Sequence, residues 1–213
     1  MNKKILIVIS GLILVVTFIV GGSIYKNAQS DKLGFMAKEN ASVFVRPHSM
    51  AYGNENAKTV IVEFFDPACE TCKDFHPFVK TLMKENEGKI RLVLRYAPYH
   101  SNSEYVVKML EGARLQGKYD EMLGLLFKYQ DKWASHTAPA NIGFIWSVVS
   151  EIGLDVSKLQ EDIKKDEISK IVMQDLQDAQ TLGATKTPAF FVNGKPLQSF
   201  GYTQLRKLVE SQL

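Results

Sequence analysis

The chain reads VIVEFFDPACETCKDFHP from Val60 to Pro77. The β-branched and aromatic residues at the beginning of this stretch are typical of a buried strand, which we place at Thr59–Phe65. Asp66-Pro67 interrupts the strand pattern, and apolar residues then recur at helical spacing from Ala68 to about Asn86. The two cysteines of the stretch therefore fall where a strand gives way to a helix.

The elements on either side complete a coarse prediction of the fold. Ile90–Tyr96 is apolar and β-branched and predicts a second strand, so strand, helix and strand should form a right-handed βαβ unit with parallel strands. A long helical block is predicted from about Ser103 to Leu182. After it the sequence predicts a strand at Ala189–Val192, a hairpin turn at Asn193-Gly194, a return over Lys195–Ser199 and a closing helix from Thr203. The order is thus β-α-β, a helical block, then β-β-α.

Cys69 and Cys72 are the only cysteines among 213 residues. A bridge across so short a loop would stabilise the fold very little, which argues against an inert structural disulfide and for redox chemistry. The N-terminus of a helix has unpaired N–H groups and a partial positive charge, and both favour a thiolate. We therefore predict that Cys69, at the exposed end, is the nucleophile. Cys72, nearly one turn deeper, would attack the mixed disulfide and release the substrate.

Other uses of the pair are less well supported. Cys69, Cys72 and His76 lie on one helical face and are candidate metal ligands, but a closed zinc site needs four ligands. The remaining histidines, at positions 48, 100 and 136, look scattered along the sequence. A net charge of +3 lacks the strong basic excess of a nucleic-acid binder. We expect no metal, no nucleic acid and no cofactor beyond the redox-active disulfide.

The N-terminus predicts passage across a membrane. Two lysines precede an uncharged apolar run at residues 5–24, long enough to span a bilayer. Residues 1–26 are therefore either a membrane anchor or a signal peptide cleaved near Ala28-Gln29-Ser30, and both alternatives stay open. Residues 27–42 are polar and are predicted to be a tether, with a dimerisation segment as the alternative. The remaining chain, residues 43–213, should fold outside the cytoplasm, on the periplasmic side.

The stretch Val60–Pro77 resembles the active-site region of the thioredoxin superfamily. The helical block is similar to that of the DsbA family of extracytoplasmic disulfide oxidoreductases, and the similarity runs from about Ala57 to the C-terminus. The resemblance implies an α/β thioredoxin-like domain with a helical insertion at about 103–182. It also implies that Pro77 kinks the active-site helix.

The same resemblance assigns two further sites. Glu63, six residues before Cys69, matches a buried acid thought to take and return the proton of the inner cysteine. If its side chain is buried rather than turned to solvent, desolvation should raise its pKa. Thr187-Pro188 matches a loop whose proline is cis and packs beside the disulfide, where it would present an edge to an extended substrate strand.

The implied function is disulfide formation or exchange in exported cysteine-containing proteins, with a membrane redox partner that recycles the CxxC pair. Glu70 and Thr71 depart from the Pro-His pair of the strongest oxidases. A carboxylate at position 70 opposes the thiolate, and Lys73 is expected to offset part of that effect, so we predict a milder oxidant. Oxidase and isomerase or reductase activity both remain open, as does a tethered binding module or chaperone without turnover. The oligomeric state is not predicted.

Overall fold

The computed structural model describes residues 9–25, 28 and 41–213. Residues 9–25 are helical and are called α1. Among the described residues, no helix combines the length and the apolar character needed to cross a membrane. Residues 1–8 and 26 of the predicted anchor or signal peptide, and residues 27 and 29–40 of the predicted tether, lie outside the described part of the chain. The last two residues of the predicted tether, at positions 41 and 42, belong to a short helix, α2, at Ala41–Phe44, so the domain begins slightly before the predicted boundary.

Within the described residues, five strands form one mixed sheet in the order β1-β3-β2-β4-β5. β2 and β3 are parallel, and the other neighbouring pairs are antiparallel. The strands are β1 Met50–Gly53, β2 Thr59–Phe65, β3 Ile90–Tyr96, β4 Ala189–Val192 and β5 Lys195–Pro196. The three longer predicted strands have these bounds, whereas the predicted return strand ends at Pro196 rather than at Ser199. The edge strand β1 was not predicted, because its residues MAYG end in glycine and lack the continuous apolar run that marks β4.

Six of the helices form the block between β3 and β4. The helices after α2 are α3 Glu70–Glu85, α4 Ser103–Arg114, α5 Tyr119–Lys128, α6 Gln130–Trp133, α7 Ile142–Val148, α8 Val156–Asp162, α9 Asp166–Thr181 and α10 Tyr202–Glu210. A single 3-10 turn at Val149–Ile152 follows α7. We call α4 to α9 the helical insertion. The predicted α/β architecture is confirmed, with the predicted β-α-β unit preceded by β1 before this block and β-β-α after it.

The central strand β2 separates two apolar cores. Ile61 and Phe65 belong to the core that contains Cys72, whereas Val62 and Phe64 belong to the core on the opposite face. Because successive side chains of a strand point to opposite faces, Glu63 lies on the same face as Ile61 and Phe65. Strand periodicity thus directs the Glu63 carboxyl toward the cysteines.

A buried ionic network lies near the opposite face. Arg95 of β3 is fully buried and donates to Asp175 at 2.7 and 2.9 Å and to Asp178 at 2.5 Å. Its guanidinium also donates to two backbone carbonyls at the end of α2. Arg46 contacts Asp178 at 2.7 Å, and His48 contacts Asp175 at 2.6 Å. The network, which we call the arginine cluster, joins the segment before β1 to the sheet and to α9.

The helical insertion is joined to the sheet by a second buried polar contact. Tyr96, the last residue of β3, donates its hydroxyl to Glu111 of α4 at 2.6 Å and lies 3.2 Å from the Tyr119 hydroxyl of α5. Glu111 in turn accepts from Arg114 at 2.8 Å. The insertion is thereby fixed to the sheet beside the strand ends that carry the cysteine turn.

Candidate active site

Cys69 is the N-cap residue of α3, and Cys72 lies in its first turn. Both are free thiols, with 7% and 1% of their surface exposed. Hydrogen bonding from the Cys72 thiol lowers the pKa of Cys69 to about 6, from 9.0. The Thr187 side chain and the backbone N–H groups of Cys72 and Thr71 act in the same direction, and together these outweigh burial. Cys69 therefore has the properties of a nucleophilic thiolate near neutral pH.

Cys72 has the opposite character. Burial raises its pKa well above 9.0, and the neighbouring Cys69 and Glu63 raise it further. The pair therefore divides into an outer sulfur that ionises readily and an inner sulfur that holds its proton. For Cys72 to attack a mixed disulfide, a nearby group must take that proton.

Glu63 is a suitable proton acceptor. Its side chain is buried. Among the described residues, Glu63 Oε2 is the buried side-chain oxygen or nitrogen that has no hydrogen-bond partner. Burial, reinforced by the Cys69 charge, raises the pKa of Glu63 to about 8. A carboxyl with this pKa exchanges a proton at physiological pH. The role assigned to Glu63 from the sequence remains a proposal, but its burial and pKa suit that role.

Replacement Glu63→Gln is expected to slow the resolving step on the order of a hundredfold, because an amide cannot accept the Cys72 proton. Release of a mixed disulfide in stopped-flow measurements reads this step directly.

The pKa of Glu63 also predicts how stability depends on pH. The folded wild-type protein keeps the Glu63 proton between the ordinary carboxyl pKa and about 8. Its stability should therefore fall as the pH rises through that window, and Glu63→Gln should remove this dependence. If the rate of mixed-disulfide release were the same in Glu63→Gln as in the wild type, Glu63 would be excluded as the base.

Thr187 and Pro188 lie beside the nucleophile. Their peptide bond is cis, as the resemblance implies, and the Cys69 thiol donates to the Thr187 carbonyl oxygen at 3.3 Å. Pro188 also lines a cavity of about 330 Å³ at the β4–β5 end of the sheet, whose wall includes the half-exposed ring of Phe200. The loop therefore lies where a chain bonded to Cys69 would pass.

The Glu70 side chain is turned to solvent, although Glu70 follows Cys69 directly in the sequence. Its side chain is 74% exposed and faces His136 of the helical insertion at 3.8 Å. Solvent and the imidazole both weaken the influence of an exposed carboxylate on the nearby thiolate. The expected opposition of Glu70 to thiolate formation is therefore small in this geometry. Thr71 contributes its backbone N–H to Cys69 rather than a side-chain contact.

The structure brings together polar groups that the sequence did not connect. Asp66 is fully buried at the end of β2, and its carboxylate accepts from the Ala68 N–H at 2.8 Å and from the Ser103 hydroxyl. It also accepts from the backbone and the ring Nδ1 of His100 at 2.9 and 2.8 Å. His100 and His136 looked scattered in the sequence, but their rings lie 5.3 Å apart beside the cysteine turn.

Gln130 of α6 is a second contact from the helical insertion to this turn. Its side chain is buried and donates to the backbone carbonyls of Pro67 at 2.9 Å and of Cys69 at 3.0 Å. A glutamine some sixty residues away carries no sequence signal for such a contact, because only the path of the chain through the insertion brings it there.

The metal alternative gains no support from the geometry of His76. Its ring packs against Phe127 of α5, with centroids 5.4 Å apart, and burial lowers its pKa to about 4, helped by the charge of Lys80. Across residues 9–25, 28 and 41–213, no three His, Cys, Asp or Glu side chains are grouped as metal ligands.

A helix-capping CxxC pair, a buried glutamate beneath it and a cis-proline loop beside it, all on this sheet, define the thioredoxin class. The chain belongs to this family: residues 46–211 match the family model described as Thioredoxin. A thioredoxin-like oxidoreductase from Silicibacter pomeroyi DSS-3 shares 29% identity and a TM-score of 0.67, over 80% of this chain and 95% of that one.

Two further solved structures share the fold. The thiol-disulfide exchange protein alpha-DsbA2 of Wolbachia pipientis is 21% identical, with a TM-score of 0.70 over 86% of this chain and 97% of its own. BdbD of Bacillus subtilis is 20% identical, with a TM-score of 0.64 over 77% of this chain and 92% of its own. These similarities confirm the thioredoxin-like fold that the sequence predicts.

The chain also resembles part of the sequence of some much longer proteins. A protein named Na(+)/H(+) antiporter NhaA 1 from Mycobacterium sp. (strain KMS) is 30% identical over 151 residues, which cover 67% of this chain and 23% of that protein. A similar match to Na(+)/H(+) antiporter NhaA of Herminiimonas arsenicoxydans is 29% identical over 68% of this chain and 22% of the relative. The chain thus spans less than a quarter of the relatives whose names refer to transport.

Proposed function

We propose that the protein is an extracytoplasmic thiol–disulfide oxidoreductase that forms or exchanges disulfides in exported proteins. The observation that carries the proposal is the opposite ionisation of the two sulfurs, with the pKa of Cys69 lowered to about 6 and that of Cys72 raised. An inert disulfide has no need of this difference. A solved structure 29% identical to the chain and described as a thioredoxin-like oxidoreductase supports the same activity.

The proposed exchange follows from the positions of these groups. In the oxidised protein a substrate thiolate attacks the Cys69 sulfur, and the bond between Cys69 and Cys72 breaks. Cys72 leaves as a thiolate and takes a proton from Glu63. A second substrate thiolate then attacks the substrate sulfur of the mixed disulfide, which releases the substrate disulfide and the Cys69 thiolate. Two electrons pass from the substrate to the protein, and a membrane redox partner would remove them.

The location and binding parts of the proposal come from the sequence and from the surface near the cysteines. The apolar run at residues 5–24 supports either an uncleaved anchor or an export signal, and with either one residues 43–213 would fold outside the cytoplasm. Thr187 and Pro188 would align an extended substrate segment beside Cys69. Glu70 and Thr71 would border that segment at the start of α3.

The direction of electron flow is testable through the reduction potential. Thiols of lower pKa are better leaving groups and make more oxidising disulfides, and reducing thioredoxins have a nucleophile pKa of about 7 against about 3.5 in the strongest oxidants. A Cys69 pKa of about 6 lies between these values. We therefore expect a potential between about −270 and about −120 mV, which suits a mild oxidant or an isomerase.

Equilibration of the Cys69–Cys72 pair with glutathione buffers of known ratio measures that potential. Parallel refolding of reduced and of scrambled ribonuclease A then separates the two directions: faster recovery from the reduced form indicates an oxidase, and faster recovery from the scrambled form an isomerase. A pair that fails to equilibrate with glutathione and catalyses neither reaction would refute the proposed function. A potential near about −120 mV would instead place the protein among the strong oxidants.

A further inference from the structure

The turn that carries Cys69 is held from two sides by the helical insertion. On one side, the Asp66 carboxylate binds the Ala68 N–H within the turn, His100 of the loop before α4 and Ser103 at the start of the insertion. On the other side, the amide of Gln130 donates to the Pro67 and Cys69 carbonyl oxygens. The backbone on either side of the nucleophile is therefore bonded to helices that are remote in sequence.

Gln130 is rigidly supported. It begins the single-turn helix α6, which ends at Trp133. The indole of Trp133 is buried and donates to the Leu126 carbonyl at 2.8 Å, and the Asn141 N–H donates to the Trp133 carbonyl at 2.7 Å. The amide of Gln130 is 2% exposed and needs no change of conformation to reach its two carbonyls.

The two carbonyls that Gln130 binds belong to peptide groups that set the orientation of the Cys69 sulfur relative to the start of α3. The Cys69 carbonyl also accepts the Lys73 N–H at 3.2 Å, the first hydrogen bond of that helix. A donor on the carbonyl side fixes the orientation of these peptide groups. The sulfur then stays near the N–H groups of Thr71 and Cys72, which stabilise negative charge on it.

We propose that Gln130 is a positioning residue for Cys69: its buried amide holds the Pro67 and Cys69 carbonyls so that the nucleophilic sulfur faces the N–H groups at the start of α3. The helical insertion thereby tunes the thiol through backbone contacts rather than through a residue between the two cysteines. The inference rests on the proposed oxidoreductase function, because it assigns Gln130 a part in exchange at Cys69.

The test is the variant Gln130→Met, which keeps the side-chain length and removes both donors. The rate of Cys69 alkylation by iodoacetamide as a function of pH reads the thiolate directly, since Cys72 is less exposed than Cys69 and its pKa is raised. We expect the midpoint to rise by at least about half a pH unit, which leaves about threefold less thiolate below the midpoint. The disulfide should become correspondingly more reducing against glutathione.

Gln116→Met is the matched control. Gln116 also lies in the helical insertion and binds backbone through its amide, donating to the Asp155 carbonyl at 3.1 Å and accepting from the Asp155 N–H at 3.0 Å. Its loss should leave the alkylation midpoint at the wild-type value. An equal shift in both variants would assign the effect to general loosening of the insertion and overturn the proposal.

Circular dichroism checks that Gln130→Met folds, and Gln130→Leu replaces it where it does not. That variant also removes both donors without adding a charge, so the midpoint should rise as far. A wild-type midpoint in a folded variant would refute the positioning role. The alkylation profile requires no substrate, so the two proposals can fail separately. If the midpoint shifts in the variant but the wild-type protein does not exchange with glutathione, only the proposed function is refuted.

Discussion

Cys69→Ser is expected to reduce the insulin-reduction activity of the protein to that of buffer alone. A serine hydroxyl stays protonated at neutral pH and cannot form a disulfide, so neither the attack nor the mixed intermediate is available. The measurement is the onset of insulin precipitation in dithiothreitol with wild-type and variant protein at equal concentration.

Cys72→Ser separates the roles of the two sulfurs. Cys69 can still attack, but no resolving thiol follows, so a mixed disulfide should accumulate and appear in mass spectrometry as the summed mass of both proteins. Accumulation in Cys69→Ser instead would reverse the assignment of nucleophile and resolving cysteine. Persistent binding of unfolded clients by Cys69→Ser, with no turnover by the wild type, would favour the binding-module alternative.

Arg95→Met is expected to lower the free energy of unfolding by about 3–5 kcal/mol, the usual cost of removing one partner from a buried ionic network. Asp175 and Asp178 would stay buried with fewer donors, and the carbonyls at the end of α2 would lose the guanidinium. Urea denaturation followed by circular dichroism measures the change. Because a domain is commonly stable by only about 5–15 kcal/mol, this would be a severe loss.

Arg206→Met is the control for a surface ion pair. Arg206 contacts Glu85 at 2.5 Å, yet 35% and 44% of these side chains are exposed, so solvent screens the pair. Its denaturation midpoint should stay close to that of the wild type. Equal losses in the two arginine variants would contradict a special role of the arginine cluster.

The pH dependence of stability checks the same cluster. Burial disfavours the charged form of Asp178, but hydrogen bonds from Arg46 and Arg95 outweigh it and lower the pKa of Asp178. A carboxyl with a lowered pKa in the folded state stabilises that state above its unfolded pKa, and the contribution is lost as the pH falls through the folded pKa. The acid-induced loss of stability should therefore be smaller in Arg95→Met.

Much of the fold was predictable because its signals are local. The strand at Thr59–Phe65 and the one at Ile90–Tyr96 are continuous apolar runs, and Cys69 and Cys72 lie at the junction that strand and helix periodicity define. The bounds of β5 and the existence of β1 were not predictable in the same way. Neither segment has an apolar run like that of β4, and such strands exist because a neighbour offers its backbone.

The candidate site was predictable in part. Glu63 could be named from the family resemblance, but its burial depends on how β2 is covered, and the sequence left a solvent-facing alternative open. The effect expected of Glu70 depends on where its side chain points, and only the tertiary structure turns that side chain outward to His136. Gln130 and His100 were missed as neighbours of the cysteine turn, since nothing in their own surroundings in the sequence refers to it.

The chemistry of Cys69 and Cys72 was inferred from the sequence because it depends on spacing along one helix, and local geometry follows from local sequence. The tertiary structure decided how strongly that chemistry is tuned. Three features arise where β2, α3 and α6 meet: the lowered pKa of Cys69, the raised pKa of Glu63 and the hydrogen bond from Gln130 to the Cys69 carbonyl. Desolvation and hydrogen bonding between distant segments exist only once the chain has folded.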